Sequence, residues 1–151
     1  MPGPRTDTPA TTPPLSLLFG YGPMLPILAA GIAALAGWEW AIEAGRLWSA
    51  SILIFLGGVT RGLSFFTAGG PRLPQIGIML LRFVLGLSAL VLPSVLAFAA
   101  LLAGYASVPL YDVQAAHHGT APRYFARLRW PQMGLALIGL ALLLAASLQA
   151  N

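Results

Sequence analysis

Arg82 is the residue whose type and position ask most insistently for chemistry. It lies in a stretch rich in Leu, Ile, Val and Phe, and an ionised guanidinium in apolar surroundings needs a partner, a polar cavity or a lipid headgroup. If its helix begins at Pro74, Arg82 sits roughly 12 Å along it. If the helix begins nearer Met79, it lies close to an interface, and both placements stay open on sequence alone. Asp112 is the preferred acidic partner, because Glu39 and Glu43 fall on the opposite side. Arg61 is one turn from the end of its own apolar stretch, where its stem can carry the charge out to the interface.

Three other groups could do chemistry. Glu39 and Glu43 are four apart, on one helix face if that segment is helical, with Trp38, Trp40 and Arg46 around them. Such a pair can hold a metal or relay a proton, and it reads here as a solvated helix end. His117 and His118 are adjacent, so on a helix they diverge and cannot face one another as axial haem ligands. Arg123, Arg127 and Arg129, with Tyr124 and Trp130, make a basic aromatic segment suited to anionic headgroups or an acidic protein surface. The chain has no Cys, which removes thiolate metal sites, disulfides and cysteine nucleophiles. No phosphate-binding glycine loop, serine elbow or paired-histidine zinc motif occurs. The expectation is therefore no catalytic residue, no cofactor, no metal site and no enzymatic activity.

The elements carrying these residues are apolar throughout. Of 151 residues, 58% are hydrophobic and only 8% charged, and mean hydropathy is +0.81. Twelve charged side chains cannot cover the surface of a soluble domain this size, so the sequence predicts an all-α polytopic membrane protein. Net charge is +4, all the positive side chains are Arg, and the excess reads as an orientation signal, not a nucleic-acid footprint.

Spanning about 30 Å of hydrocarbon takes roughly 20 apolar residues, and the sequence offers candidate spans at 21–38, 47–66 and 130–148. Residues 74–111 would run about 57 Å as one helix, and Leu92-Pro93-Ser94 interrupts them. A hairpin of two spans, 74–92 and 94–111, fits that length; the rival is one tilted span with an interfacial helix. Arginine placement favours the hairpin. With five spans, Arg5, Arg61, Arg72, Arg123, Arg127 and Arg129 share one side and Arg46 takes the other. Four spans would divide the basic cluster against the positive-inside bias. Residues 1–14, rich in Pro and Thr, read as a disordered tail on the cytoplasmic side, and 15–151 as the membrane domain with its C-terminus outside. The membrane is a bacterial inner membrane or, alternatively, the mitochondrial inner membrane.

Gly58 and Gly62 form a small-xxx-small pattern, widened by Gly57, which suits close helix packing. The expected match is Ala29, Ala33 and Gly37 of the first span, with contact to another protein as the alternative. Gly20-Tyr-Gly-Pro-Met-Leu-Pro26, Phe55-Leu-Gly-Gly-Val-Thr-Arg-Gly62, Leu92-Pro93, Tyr111-Asp112 and Tyr124-Phe-Ala-Arg-Leu-Arg-Trp-Pro131 occur in this order. In this the chain resembles the family grouped as domain of unknown function 3429, the small inner-membrane proteins similar to transmembrane protein 69. Gly62-Leu63 after Arg61 departs slightly from that pattern. The resemblance implies a five-span inner-membrane protein and no catalytic residues.

Two function classes follow. One is a non-catalytic accessory, stabilising or assembly subunit of a larger inner-membrane, energy-transducing complex, in contact with anionic lipid headgroups and other integral membrane subunits. In that reading residues 134–148, lacking a polar face to bury, lie against lipid or a neighbouring protein. The other is a small oligomeric transporter or channel, whose path would have to use Ser49, Ser51, Thr60, Arg82 and Ser88.

Overall fold

A computed structural model of the chain describes residues 8–150. Prolines open its first segments. Helix α1 (Pro14–Tyr21), a 3-10 turn (Gly22–Met24) and α2 (Leu25–Leu35) each carry a Pro in the first two positions, where the missing N–H would have no helical partner in any case. Together they form one run, Pro14–Leu35, of 22 residues. It starts about two turns before the position 21 expected from sequence, because the Gly-Pro-x-x-Pro segment is crossed rather than used as a start. Trp48 Nε1 donates to the Pro23 carbonyl at 2.8 Å, tying this turn to the next helix.

The remaining helices are α3 (Trp40–Ser64), α4 (Leu73–Ala89), α5 (Ser94–His117) and α6 (Phe125–Gln149). Helices α3 and α6 begin earlier than the expected spans at 47 and 130, and so take in Arg46 and Arg129, each of which has hydrogen-bond partners within the chain. Residues 74–111 form two helices, broken at residues 90–93 with extended Pro93 as the N-cap of α5. The turn between α3 and α4 uses Gly69 and Gly70, both at positive φ, a conformation that costs glycine little. The described residues contain no strand. Four of the helical runs are long and apolar enough to cross a membrane; α4, with 17 residues, measures about 25 Å. The expected tail falls partly outside the described residues, at 1–7, and residues 8–13 precede the first helix.

Neighbouring helices alternate in direction. Gly57 of α3 meets Met79 and Arg82 of α4, whereas Gly86 of α4 meets Ala50 and Ile54, so this pair is antiparallel. Gly20 meets Leu128 and Gln132, and Gly31 meets Gly139 and Leu142, so the first and last runs are parallel. An odd number of alternating runs gives this result. It gathers Arg61, Arg72, Arg123 and Arg127 at one end of the bundle. Arg46 lies at the other end, where it pairs with Glu43 and donates to the Leu92 carbonyl at 3.0 Å and the Ala89 carbonyl at 3.5 Å. A cation on the last carbonyls of α4 suits the negative end of that helix.

Two sequence expectations about packing are overturned. Gly58 and Gly62 face open space, and a Cβ on either would touch nothing within 4 Å. Gly57, about 100° round the helix, is the one packed, with a Cβ position 3.2 Å from the Met79 carbonyl. Ala29 and Gly37 are exposed, so the expected row does not pair with this motif. The closest helix approach is instead α2 against α6, where a Cβ on Gly139 would lie 2.7 Å from the Ile27 carbonyl carbon and oxygen. The last helix is likewise not without a face to bury in its own bundle: one side packs into the core, while Ile138 and Leu148 point outward. Met133, Ala136, Leu140 and Leu143 are fully buried in the core with Ile27, Leu53, Phe98 and Leu101. Its small residues let it sit centrally against α2 and α5.

Candidate functional site

Arg82 is fully buried, nine residues into α4 and thus about 13 Å from its start. Helical side chains lean toward the N-terminus of their helix, which carries the guanidinium back toward the basic end. There it finds a nearly complete set of acceptors. Nε donates to Ser107 Oγ at 3.2 Å, Nη1 to Thr60 Oγ1 at 2.6 Å, and Nη2 to the Ser107 carbonyl at 3.1 Å and Asp112 Oδ1 at 2.9 Å. The Tyr111 ring lies 5.9 Å from the guanidinium carbon. Thr60 and Ser107 donate in turn to the carbonyls of Leu56 and Gly104. Pro109 contributes locally, since it has no N–H to offer the Tyr105 carbonyl and loosens the α5 ladder beside Ser107.

Asp112 also faces a second arginine. Its Oδ2 lies 2.9 Å from Arg129 Nε, yet that N–H is not aimed along the contact, and Nε is left without a hydrogen bond. The two groups form a close ion pair with poor hydrogen-bond alignment. Arg129 Nη1 donates to Gln132 Oε1 at 2.7 Å, and Gln132 Nε2 to the Gly20 carbonyl at 2.9 Å. The Arg129 guanidinium stacks 3.9 Å over Phe125. The chain of contacts Thr60–Arg82–Asp112–Arg129–Gln132–Gly20 therefore includes every helical run: α3, α4, α5, α6 and α1. It carries two guanidiniums to one carboxylate. Thr60, Asp112 and Arg129 all lie within about two turns of the basic ends of their helices.

The other sequence candidates disperse. Arg129 is not part of an exposed anchor, as the sequence suggested: it is only 4% exposed. Arg123, Arg127 and Trp130 are exposed. Arg61, half-buried, donates to Ser64 Oγ at 2.9 Å and covers the Phe65 ring. Glu39 and Glu43 are exposed at the far end, and His117 and His118 end α5 in the open. The described residues contain no group of three or more His, Asp or Glu placed to hold a metal. Ser49 is buried with its hydroxyl unpartnered, while its carbonyl accepts from Tyr105 at 2.8 Å. Ser51 is exposed and bonded within its own helix, to the Leu47 carbonyl. Of the other residues considered for a polar path, Thr60 and Arg82 belong to the network and Ser88 is half-buried on α4.

Sequence reasoning missed Ser107 and Gln132, and with them the inward role of Arg129. Gln132 carried a readable signal, as an amide three residues beyond an arginine at the start of an apolar run. Comparison with protein-family models, with curated proteins and with solved structures finds no match.

Proposed function

We propose that the chain is a five-span inner-membrane protein, with its N-terminus on the cytoplasmic or matrix side, and a non-catalytic accessory or stabilising subunit of a larger membrane complex. The observation that carries this reading is the network through Arg82, Asp112 and Arg129. Apart from the guanidinium of Arg129, which keeps donors in reserve, its polar groups are spent on one another and on backbone carbonyls, linking all five runs. A buried ionic cluster offers little net stability, since desolvation offsets most of the Coulomb attraction. What it supplies is a fixed register among helices that lipid would otherwise let slide, and a rigid scaffold is what an accessory subunit presents.

The core beyond the network supports the same reading. Toward the Arg46 end it is filled by Ile27, Leu53, Phe98, Leu101, Leu140 and Leu143, which leaves a transported polar solute nothing to exchange its hydration for. The flanks of α3 and α4 present Phe55, Phe83, Val84 and Leu87 outward, an apolar surface for lipid or for the helices of a neighbouring subunit. Alternation of the runs with Arg61, Arg72, Arg123 and Arg127 at one end is the basis for the orientation.

The test is purification of the full chain from its native membrane in mild detergent, with identification of what accompanies it in fixed stoichiometry. A stable companion complex is the expected result. A homo-oligomer without companions would replace this reading with the transporter one.

A further inference from the structure

We propose that the groove between the first helical run, α3 and α6 is a site for one anionic phospholipid, with its phosphate at Arg129 and an acyl chain along the groove. The inference rests on the membrane-spanning part of the proposed function. The groove has a volume of about 180 Å³. Its length is lined by apolar side chains, among them Phe19, Ile52, Phe55 and Val59, and its polar residues are Ser16, Tyr124, Arg129 and Gln132. All four lie within about two turns of the basic ends of their helices. Ser16 Oγ and Tyr124 Oη already approach each other, at 3.4 Å. A lipid of the basic-side leaflet has this same order, headgroup at the interface and chain inward.

Charge selects the headgroup. Arg82 and Arg129 share one carboxylate, and no other acidic side chain among the described residues lies at that end. Arg82 is nearly saturated, with four hydrogen bonds. Arg129 is not: it is buried, its Nε lies against Asp112 Oδ2, and its one donated bond among the described residues, from Nη1 to Gln132, leaves N–H groups of both Nη atoms unused. A guanidinium out of water with unused N–H groups beside an apolar groove is matched by a phosphate, whose oxygens accept charge-assisted hydrogen bonds. A zwitterionic lipid brings a second positive charge to the same place and gains less. The exposed Arg123 and Arg127 line a different surface, with Ala10, His117 and Ala126.

The test titrates the purified full-length protein in detergent with phosphatidylglycerol or phosphatidylcholine and counts bound lipid by native mass spectrometry. Phosphatidylglycerol should bind as a single tight equivalent, roughly tenfold or more tighter than phosphatidylcholine, the gain expected of a charge-assisted pair. Arg129→Gln should erase that preference. Because Arg129 also belongs to the network, Val59→Trp provides a second route: it fills the groove, leaves every network residue in place, and should abolish the tight equivalent with helical content unchanged. The double variant Arg123→Gln/Arg127→Gln should keep it. Equal affinity for the two lipids, tight binding that survives Val59→Trp, or loss confined to the Arg123/Arg127 variant would each overturn the site. The titration uses the isolated chain, so its failure is distinct from a failure to find companion subunits.

Discussion

Asp112 meets Arg82 through Oδ1, with a hydrogen bond of 2.9 Å, in a place where Arg82 is wholly removed from solvent. The two residues are 30 apart in sequence, on successive helices, so the bond closes the α4–α5 hairpin. Its other oxygen is shared with Arg129. Each partner is therefore needed for a different reason, which makes their substitutions unequal.

Asp112→Asn should be the most damaging single change, because it leaves two buried guanidiniums facing each other without a counter-charge. Breaking a buried pair in this way costs about 3–5 kcal/mol. Arg82→Met, of similar length and apolar, leaves Asp112 paired with Arg129 and should cost clearly less. Thermal unfolding of both variants in micelles, followed by circular dichroism, checks the order. Equal losses would mean that the carboxylate is not the hub.

Gly139→Ala and Gly58→Ala should separate. The first places a methyl 2.7 Å from backbone atoms of Ile27 and Leu28, and overpacking at a rigid contact costs about 1–3 kcal/mol. At Gly58 the methyl meets nothing within 4 Å, so the change should stay within about 0.5 kcal/mol. The same melting experiment reads both, and a destabilised Gly58→Ala would restore the packing role expected from the motif.

Gln132→Leu removes both the acceptor for Arg129 Nη1 and the donor to the Gly20 carbonyl. Leaving buried polar groups unmet costs about 1–3 kcal/mol. The loss should localise to the first helical run, seen as faster amide exchange around Gly20 than around Ser107. Uniform acceleration would show that Gln132 does not act through that contact.

Topology has a direct readout because the chain has no cysteine of its own. Gln114→Cys lies near the basic end of α5 and Ala150→Cys just beyond the far end of α6. An impermeant thiol reagent should reach them from opposite faces of the membrane, with position 114 on the cytoplasmic or matrix side. Labelling from the same face would remove one of the five spans.

How much of this was legible in the sequence depended on whether one face or one direction had to be known. Arg82 with Asp112 was readable because Asp112 is the only acid in the chain after Glu43. The break at Leu92-Pro93 was readable because a helix of that length exceeds a bilayer and proline restricts the residue before it. Arg129 was misread because Arg123, Arg127 and Trp130 make its neighbourhood look like a surface anchor. Two residues along a helix is about 200° round it, so Arg127 and Arg129 take opposite faces. Arg129 lies on the stripe of Phe125, Gln132, Ala136 and Leu143, all buried. The glycine motif failed similarly: spacing shows that a smooth face exists but not what it meets, and Gly57, one residue away, has the contact. The prolines of the first run gave no start signal, because each occupies a position where a helical segment tolerates it.

The accessory reading is tested most directly by deleting the protein and measuring two quantities on the membrane complex that accompanies it: the amount assembled and the turnover per assembled complex. The expected result is less assembled complex with turnover per complex unchanged. A fully assembled complex with lost turnover, restored by the wild-type chain but not by Arg82→Met, would contradict it and make the buried arginine a participant in the reaction or the conduction path.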